Sequence, residues 1–196
     1  MAVPAFKEWA VIVRALLEGE QILDVRKGGL REDGRRFGVH AERCWLYPTY
    51  EHQKPELLKP AYRRWVSDTE TASESGRVQI SGWADVAGVI TITDPDELAR
   101  LDSKLIWTPE YAALRLGWKA AQPLWVLALR TYRLDTPCIV PYRDEYGGCT
   151  SWVDVDGLPD DPAALPAEPA LTDDGFAGRL TLVENELGRS LEAPSH

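Results

Sequence analysis

At 196 residues and 21.9 kDa the chain has the length of one domain, with room for a short appendage. Hydrophobic residues at 44% and charged residues at 27% give the balance of a globular protein and exclude a disordered one. The net charge of −9 is uneven: residues 153–196 hold ten acidic residues against two basic ones, whereas residues 26–64 hold ten basic against five acidic. Overall acidity therefore does not exclude an anionic ligand, because the local field decides.

No apolar run reaches the roughly 20 residues that cross a bilayer, so no membrane association is expected. The first residues lack the basic and apolar regions of a secretory signal. Cys44, Cys138 and Cys149 are an odd number without close pairing, which suits a reducing compartment. A cytoplasmic protein is expected. Eight Trp and seven Tyr are many for this length, and such side chains serve cores and ligand pockets alike.

In chain order, Phe6, Trp9, Ala10, Val13, Leu16 and Leu17 recur at three- and four-residue spacing, predicting a helix over Phe6 to Leu17 that ends at Gly19. Gln21 to Arg26 reads as a strand, followed by a basic loop punctuated by Gly28-Gly29 and Asp33-Gly34. Arg43 to Tyr47 reads as a strand stopped by Pro48. Pro55 to Val66 has a helical pattern that Pro60 either divides or starts. Arg77 to Thr93 reads as a long strand or a pair, with Gly82 and Gly88 marking bends or bulges.

Asp94-Pro95-Asp96-Glu97 and Thr108-Pro109-Glu110 open two helices, the second stopping at Gly117. Leu124 to Arg133 reads as a strand, and Cys138 to Tyr142 and Ser151 to Val155 as short ones. Four prolines from Pro159 to Pro169 indicate a linker. Thr172-Asp173-Asp174 caps a last helix with Phe176, Leu180, Val183 and Leu187 on one face.

The expected fold is α+β: a small, partly closed β-barrel with packed helices. Its expected organisation is an α+β domain over residues 1–156, a Pro-rich linker over 157–171, and an acidic C-terminal helix and tail over 172–196.

Side-chain chemistry is densest between Trp9 and Gln53. Arg26-Lys27-Gly28-Gly29 at a strand end combines two cations with glycines whose backbone N–H groups a ligand can approach, a pattern suited to an anion. Trp45, Tyr47 and Tyr50 supply faces on which a base stacks, and His52 an acid, base or hydrogen-bond reader. The competing readings are a hairpin turn with exposed cations, and a histidine that caps the next helix.

Cys149, on a glycine turn, is a nucleophile only if His52 lies beside it. Asp24, Glu42 and Asp85 would make a metal cluster only by converging, and Cys and His spacing gives no zinc motif, so neither metal nor cofactor is expected.

Trp9-Ala10 followed by Gly19-Glu20-Gln21-Ile22-Leu23-Asp24-Val25-Arg26 resembles the N-terminal signature of the ASCH group of PUA-like barrels over about the first thirty residues. That resemblance implies binding of RNA or a modified nucleoside, or amide hydrolysis. Gln21 replaces the signature lysine that is reactive in the hydrolase members, and Asp24 the glutamate, which favours binding over catalysis.

Over most of its length the chain also resembles a bacterial family known only as a domain of unknown function. The shared landmarks are Lys7-Glu8-Trp9-Ala10, Arg26-Lys27-Gly28-Gly29, Tyr47-Pro48-Thr49 with His52-Gln53, Trp118-Lys119 with Pro123-Leu124, and Tyr146-Gly147-Gly148-Cys149 with Ser151-Trp152.

The resulting expectation is a module binding single-stranded RNA or a nucleotide-like anion, with Arg26, Lys27, Gly28 and Gly29 on the anion and Trp45, Tyr47 and His52 on the base. The alternative is a small hydrolase, an amidohydrolase or metal-dependent nuclease, in the same pocket. The acidic C-terminal segment is expected to dock on a protein partner or on the domain itself.

Overall fold

A computed structural model describes residues 2–27, 41–51, 53–70, 76–117, 122–148 and 150–194. Among these residues the fold is mixed α and β. A seven-stranded sheet comprises β1 (Ala5–Trp9), β2 (Leu23–Lys27), β3 (Arg43–Thr49), β4 (Arg77–Ile92), β5 (Leu124–Pro141), β6 (Trp152–Val153) and β7 (Ala167–Pro169). The helices are α1 (Ala10–Leu17), α2 (Arg64–Glu70), α3 (Pro95–Arg100), α4 (Pro109–Gly117) and α5 (Asp173–Leu187). The strand order β2-β5-β4-β3-β1-β6, with β7 added on β5, does not close on itself.

The first element corrects the sequence reading. Residues predicted as the start of a helix are strand β1, which pairs in parallel with β3 and antiparallel with β6. Phe6, Trp9 and Ala10 suit both periods, and pairing on both edges decides the conformation of a segment whose local preference is weak. Lys7 and Glu8, polar residues of this strand, are only 5% and 8% exposed because of that placement.

The helix begins at Ala10, where the buried Gln53 amide oxygen accepts from the Val11 N–H at 3.0 Å. It ends as expected at Gly19, whose φ of 70° is the left-handed conformation glycine tolerates.

Two further strands run longer than predicted. β3 continues through Pro48; past Trp45 it has no partner on its β4 side, which leaves room for a residue without an N–H. β5 joins the two predicted strands into one of 18 residues, and Pro137 falls in the bulge between Arg133 and Cys138, outside the β4 ladder. The register shifts lie at Gly82 and Gly88 as predicted. Pro55–Leu57 and Pro60–Tyr62 form separate tight turns rather than one helix, divided by Pro60.

Helix starts follow their caps: the Asp94 carboxylate accepts from the Asp96 N–H, and the Thr172 hydroxyl from the Gly175 N–H. The segment read as a linker carries β7. α5 buries Val183 and Leu187 against the main core, with Phe176 and Leu180 packed alongside. No helix among the described residues is long and apolar enough to cross a membrane.

Alternation along β1 and β3 separates two cores. Phe6, Cys44 and Leu46 join the larger one with α1, whereas Ala5, Trp45 and Tyr47 join a smaller one with Val78, Ile80, Trp83 and Tyr146. The candidate site lies on that second side.

Candidate functional site

A cavity of about 420 Å³ opens where the ends of β1 and β3, the start of β4 and the loop after β5 meet. Trp9, Tyr47, Tyr50, Tyr142 and Tyr146 line it, with Lys7 on one wall and Arg77 at the start of β4. The Lys7 ammonium donates to the carbonyls of Gly147 at 3.2 Å and Gly148 at 3.0 Å, which holds this glycine turn against β1. A side chain at Gly147 would meet the Asp144 carbonyl oxygen at 2.9 Å, and Gly148 has a φ of +74°, so the turn requires both glycines.

Tyr146 packs edge-on against Tyr47 with centroids 6.0 Å apart, and its hydroxyl accepts from the Asp156 N–H at 3.0 Å. The hydroxyl of Tyr47 is buried and has no hydrogen-bond partner among the described residues. Burial pushes its pKa up to about 12 and raises that of Tyr50 as well, so both present O–H donors at neutral pH.

Of the residues predicted for ligand contact, the structure places Tyr47 in the cavity wall and three others elsewhere. Trp45 is completely buried in the second core and offers no face to a ligand, since residues 45 and 47 share the side of β3 that packs inward. Lys27 is 3% exposed and donates to the carbonyls of Leu116 at 2.5 Å and Gln122 at 2.6 Å, which ties the end of α4 to β2. Burial lowers its pKa.

Arg26 faces inward too. It pairs with Asp24 and Glu8, each at 2.8 Å, donates to the Lys7 carbonyl, and lies 4.4 Å over the Phe6 ring. Gly28, Gly29, His52 and Cys149 lie outside the described residues, as does Trp118-Lys119.

The buried group around Arg26 has unusual proton chemistry. Glu8 is pushed up to about 8, first by desolvation and then by the charge and hydrogen bond of Asp24, against the opposing pull of Arg26. Its other oxygen accepts from the Trp9 N–H at 2.6 Å. Glu8 therefore keeps its proton near neutral pH.

Elsewhere, Asp85 pairs with Arg43 at 2.7 Å, and the described residues contain no group of three His, Cys, Asp or Glu side chains able to hold a metal. Cys44 is fully buried, its thiol donating to the Ala84 carbonyl and raised in pKa by burial. Gln21, at the position of the ASCH-like signature lysine, is a structural clamp. Its amide donates to the Leu23 carbonyl at 2.8 Å and accepts from the Ile106 N–H at 2.9 Å.

Sequence reasoning did not place Lys7, Trp9, Arg77, Tyr142 or Tyr146 in a site. The usable signal was the Tyr146-Gly147-Gly148 turn, a tyrosine beside two glycines, but its partner across the cavity comes from a strand that had been read as helix.

A comparison with curated proteins finds no match. Among solved structures, a serine-to-alanine variant of ZmASCH from Zymomonas mobilis is 14% identical with a TM-score of 0.41, covering 65% of this chain and 66% of that one. The chain thus spans just under two thirds of that protein's length. A tyrosine-to-phenylalanine variant of ZmASCH is 12% identical with the same TM-score of 0.41, covering 74% of this chain and 93% of that one.

A sequence model of one family matches residues 5–181, which include the cavity and most of α5. Lys7, Trp9, Tyr47, Pro48, Thr49, Tyr146, Gly147 and Gly148, all landmarks of the sequence resemblance, stand in the cavity wall. The chain belongs to the family described as a domain of unknown function, DUF1802.

Proposed function

We propose that the aromatic cavity binds a nucleotide, either free or as an unpaired residue of single-stranded RNA. The observation that carries this reading is the Tyr47 hydroxyl, a buried donor without a partner among the described residues, in the wall of a tyrosine- and tryptophan-lined cavity. A buried polar group of that kind costs stability unless something bonds to it, and the edge of a base is a suitable acceptor. Tyr50, Tyr142 and Trp9 offer ring faces for stacking, worth about 1–3 kcal/mol per base. Arg77, exposed beside them, supplies the cation for a phosphate.

In this reading Arg26 and Lys27 act on the scaffold, fixing β1 and the end of α4, rather than on the ligand. The seam where Arg26 of β2 reaches β1 is our basis for regarding the open sheet as a partly closed barrel of PUA-like type. The apolar side of α5 is taken up by the domain, so a protein partner would meet its acidic outer side.

The test is titration of the full chain with short single-stranded RNAs and nucleoside monophosphates, followed by tryptophan fluorescence at several salt concentrations. Saturable quenching that weakens in Arg77→Ala and Tyr50→Ala supports the proposal. Absence of binding to every nucleotide and RNA removes it.

A second reading, a hydrolase in the same cavity, rests on Glu51 and Gly148. These are the sequence neighbours of His52 and Cys149, and both line the wall. Turnover of amide or phosphodiester substrates that is abolished by His52→Ala or Cys149→Ser would favour it.

A further inference from the structure

The aromatic cavity has a neighbour. A second cavity of about 330 Å³ shares Pro48 and Tyr50 with the first as a common wall. Buried residues of α1, Val13 and Leu17, form apolar lining, and Asp68, Gln79, Ser81 and Arg133 add polar groups. β4 connects the two spaces: Arg77, Gln79 and Ser81 are alternate residues and share one side of the strand. Arg77 belongs to the first cavity, Gln79 and Ser81 to the second.

The cations at this pair of cavities fall into two kinds. Arg14 is held by Glu18 at 2.7 Å and Asp68 at 3.1 Å, so it balances the carboxylates around it. The side chains of Arg77 and Arg133 are exposed and make no hydrogen bond or ion pair among the described residues, which leaves their guanidinium donors available to an incoming anion.

We infer that the second cavity takes the adjoining nucleotide of an RNA strand whose first nucleotide fills the aromatic cavity. The connecting phosphodiester meets Arg133, the second base rests on the Val13 and Leu17 side of α1, and Gln79, Ser81 and the Asp68 carboxylate bond to ribose hydroxyls. The ligand is then at least a dinucleotide, and the site distinguishes RNA from DNA through the 2′-hydroxyl. This inference rests on the nucleotide reading of the first cavity.

The experiment titrates the full chain with each common ribonucleoside 5′-monophosphate, the matching ribodinucleotides and the deoxy-dinucleotides, and repeats the series with Arg133→Ala and Arg133→Lys. The expected result is that ribodinucleotides bind about tenfold tighter than monophosphates, as one charge-assisted contact provides. Arg133→Ala should abolish that gain while leaving monophosphate affinity unchanged, Arg133→Lys should restore part of it, and deoxy-dinucleotides should fall short of ribodinucleotides.

Equal affinity for ribodinucleotides and monophosphates overturns the second subsite while the first stands. So does an Arg133→Ala variant that weakens both ligand sets alike. If neither set binds, the nucleotide reading of the first cavity fails and this inference with it.

Discussion

Nη2 of Arg26 lies 2.8 Å from Oε2 of Glu8, a contact between β2 at one end of the strand order and β1 near the other. No strand pairing joins these two elements among the described residues, so a buried charge-assisted hydrogen bond does what ladder hydrogen bonds do elsewhere. Because Asp24 is 2% exposed and also faces Arg26, one guanidinium serves two carboxyl groups.

Removing that guanidinium strands buried charge. Arg26→Met should lower folding stability by about 3–5 kcal/mol, measured by urea unfolding. Adding Glu8→Gln and Asp24→Asn to the same chain should recover much of the loss, since no charge is then left unpaired. A single variant as stable as the parent would show that the group is not buried as described.

The same group sets a pH dependence. The Glu8 pKa is about 8 in the folded chain against 4.5 for an unperturbed glutamate, so the folded state holds more protons than the unfolded state between those values. Stability should therefore fall as pH rises from about 4.5 through 8, by at most about 1.4 kcal/mol per pH unit, and level off above. Chemical denaturation across this range should show the slope in the parent and a flatter profile in Glu8→Gln. An identical slope in both would assign it to other groups.

Lys27 should behave as a structural residue. Lys27→Met removes the ammonium that the Leu116 and Gln122 carbonyls accept from, and should cost about 1–3 kcal/mol. Nucleotide affinity measured on the folded variant should stay within about twofold of the parent. A large loss of affinity without a loss of stability would return Lys27 to the ligand.

Gly82 marks the first β4 bulge by necessity. A methyl group there would meet the Tyr132 carbonyl oxygen at 2.3 Å and a Leu17 methyl at 2.4 Å. Gly82→Ala should destabilise by about 1–3 kcal/mol, whereas alanine at Gly178, which meets nothing within 4 Å, should be neutral or slightly stabilising because glycine is a poor helix residue. Thermal melts of the two variants check the contrast.

Much of this fold was legible because its signals are local. Asp94 and Thr172 cap their helices through side chains two and three residues from the donors they satisfy, and glycines bend β4 where a Cβ has no room. β1 was not legible because its conformation comes from β3 and β6, distant in sequence, and because Lys7 and Glu8 are polar yet buried with partners.

The site divides the same way. Tyr47, chosen as a stacking face, lines the cavity, but nothing local tells a core tryptophan such as Trp45 from one that meets a ligand. The inward turn of Arg26 depends on Glu8, eighteen residues earlier.

Tyr47→Phe separates the stability of the cavity from its proposed use more directly than any other substitution. It removes one buried oxygen that has no partner among the described residues and leaves the ring in place. Unfolding and nucleotide titration of this variant should give opposite signs: stability unchanged or raised by about 1 kcal/mol, and affinity for the best-binding nucleotide lowered about tenfold. Affinity equal to that of the parent would contradict a ligand bonded to the Tyr47 hydroxyl.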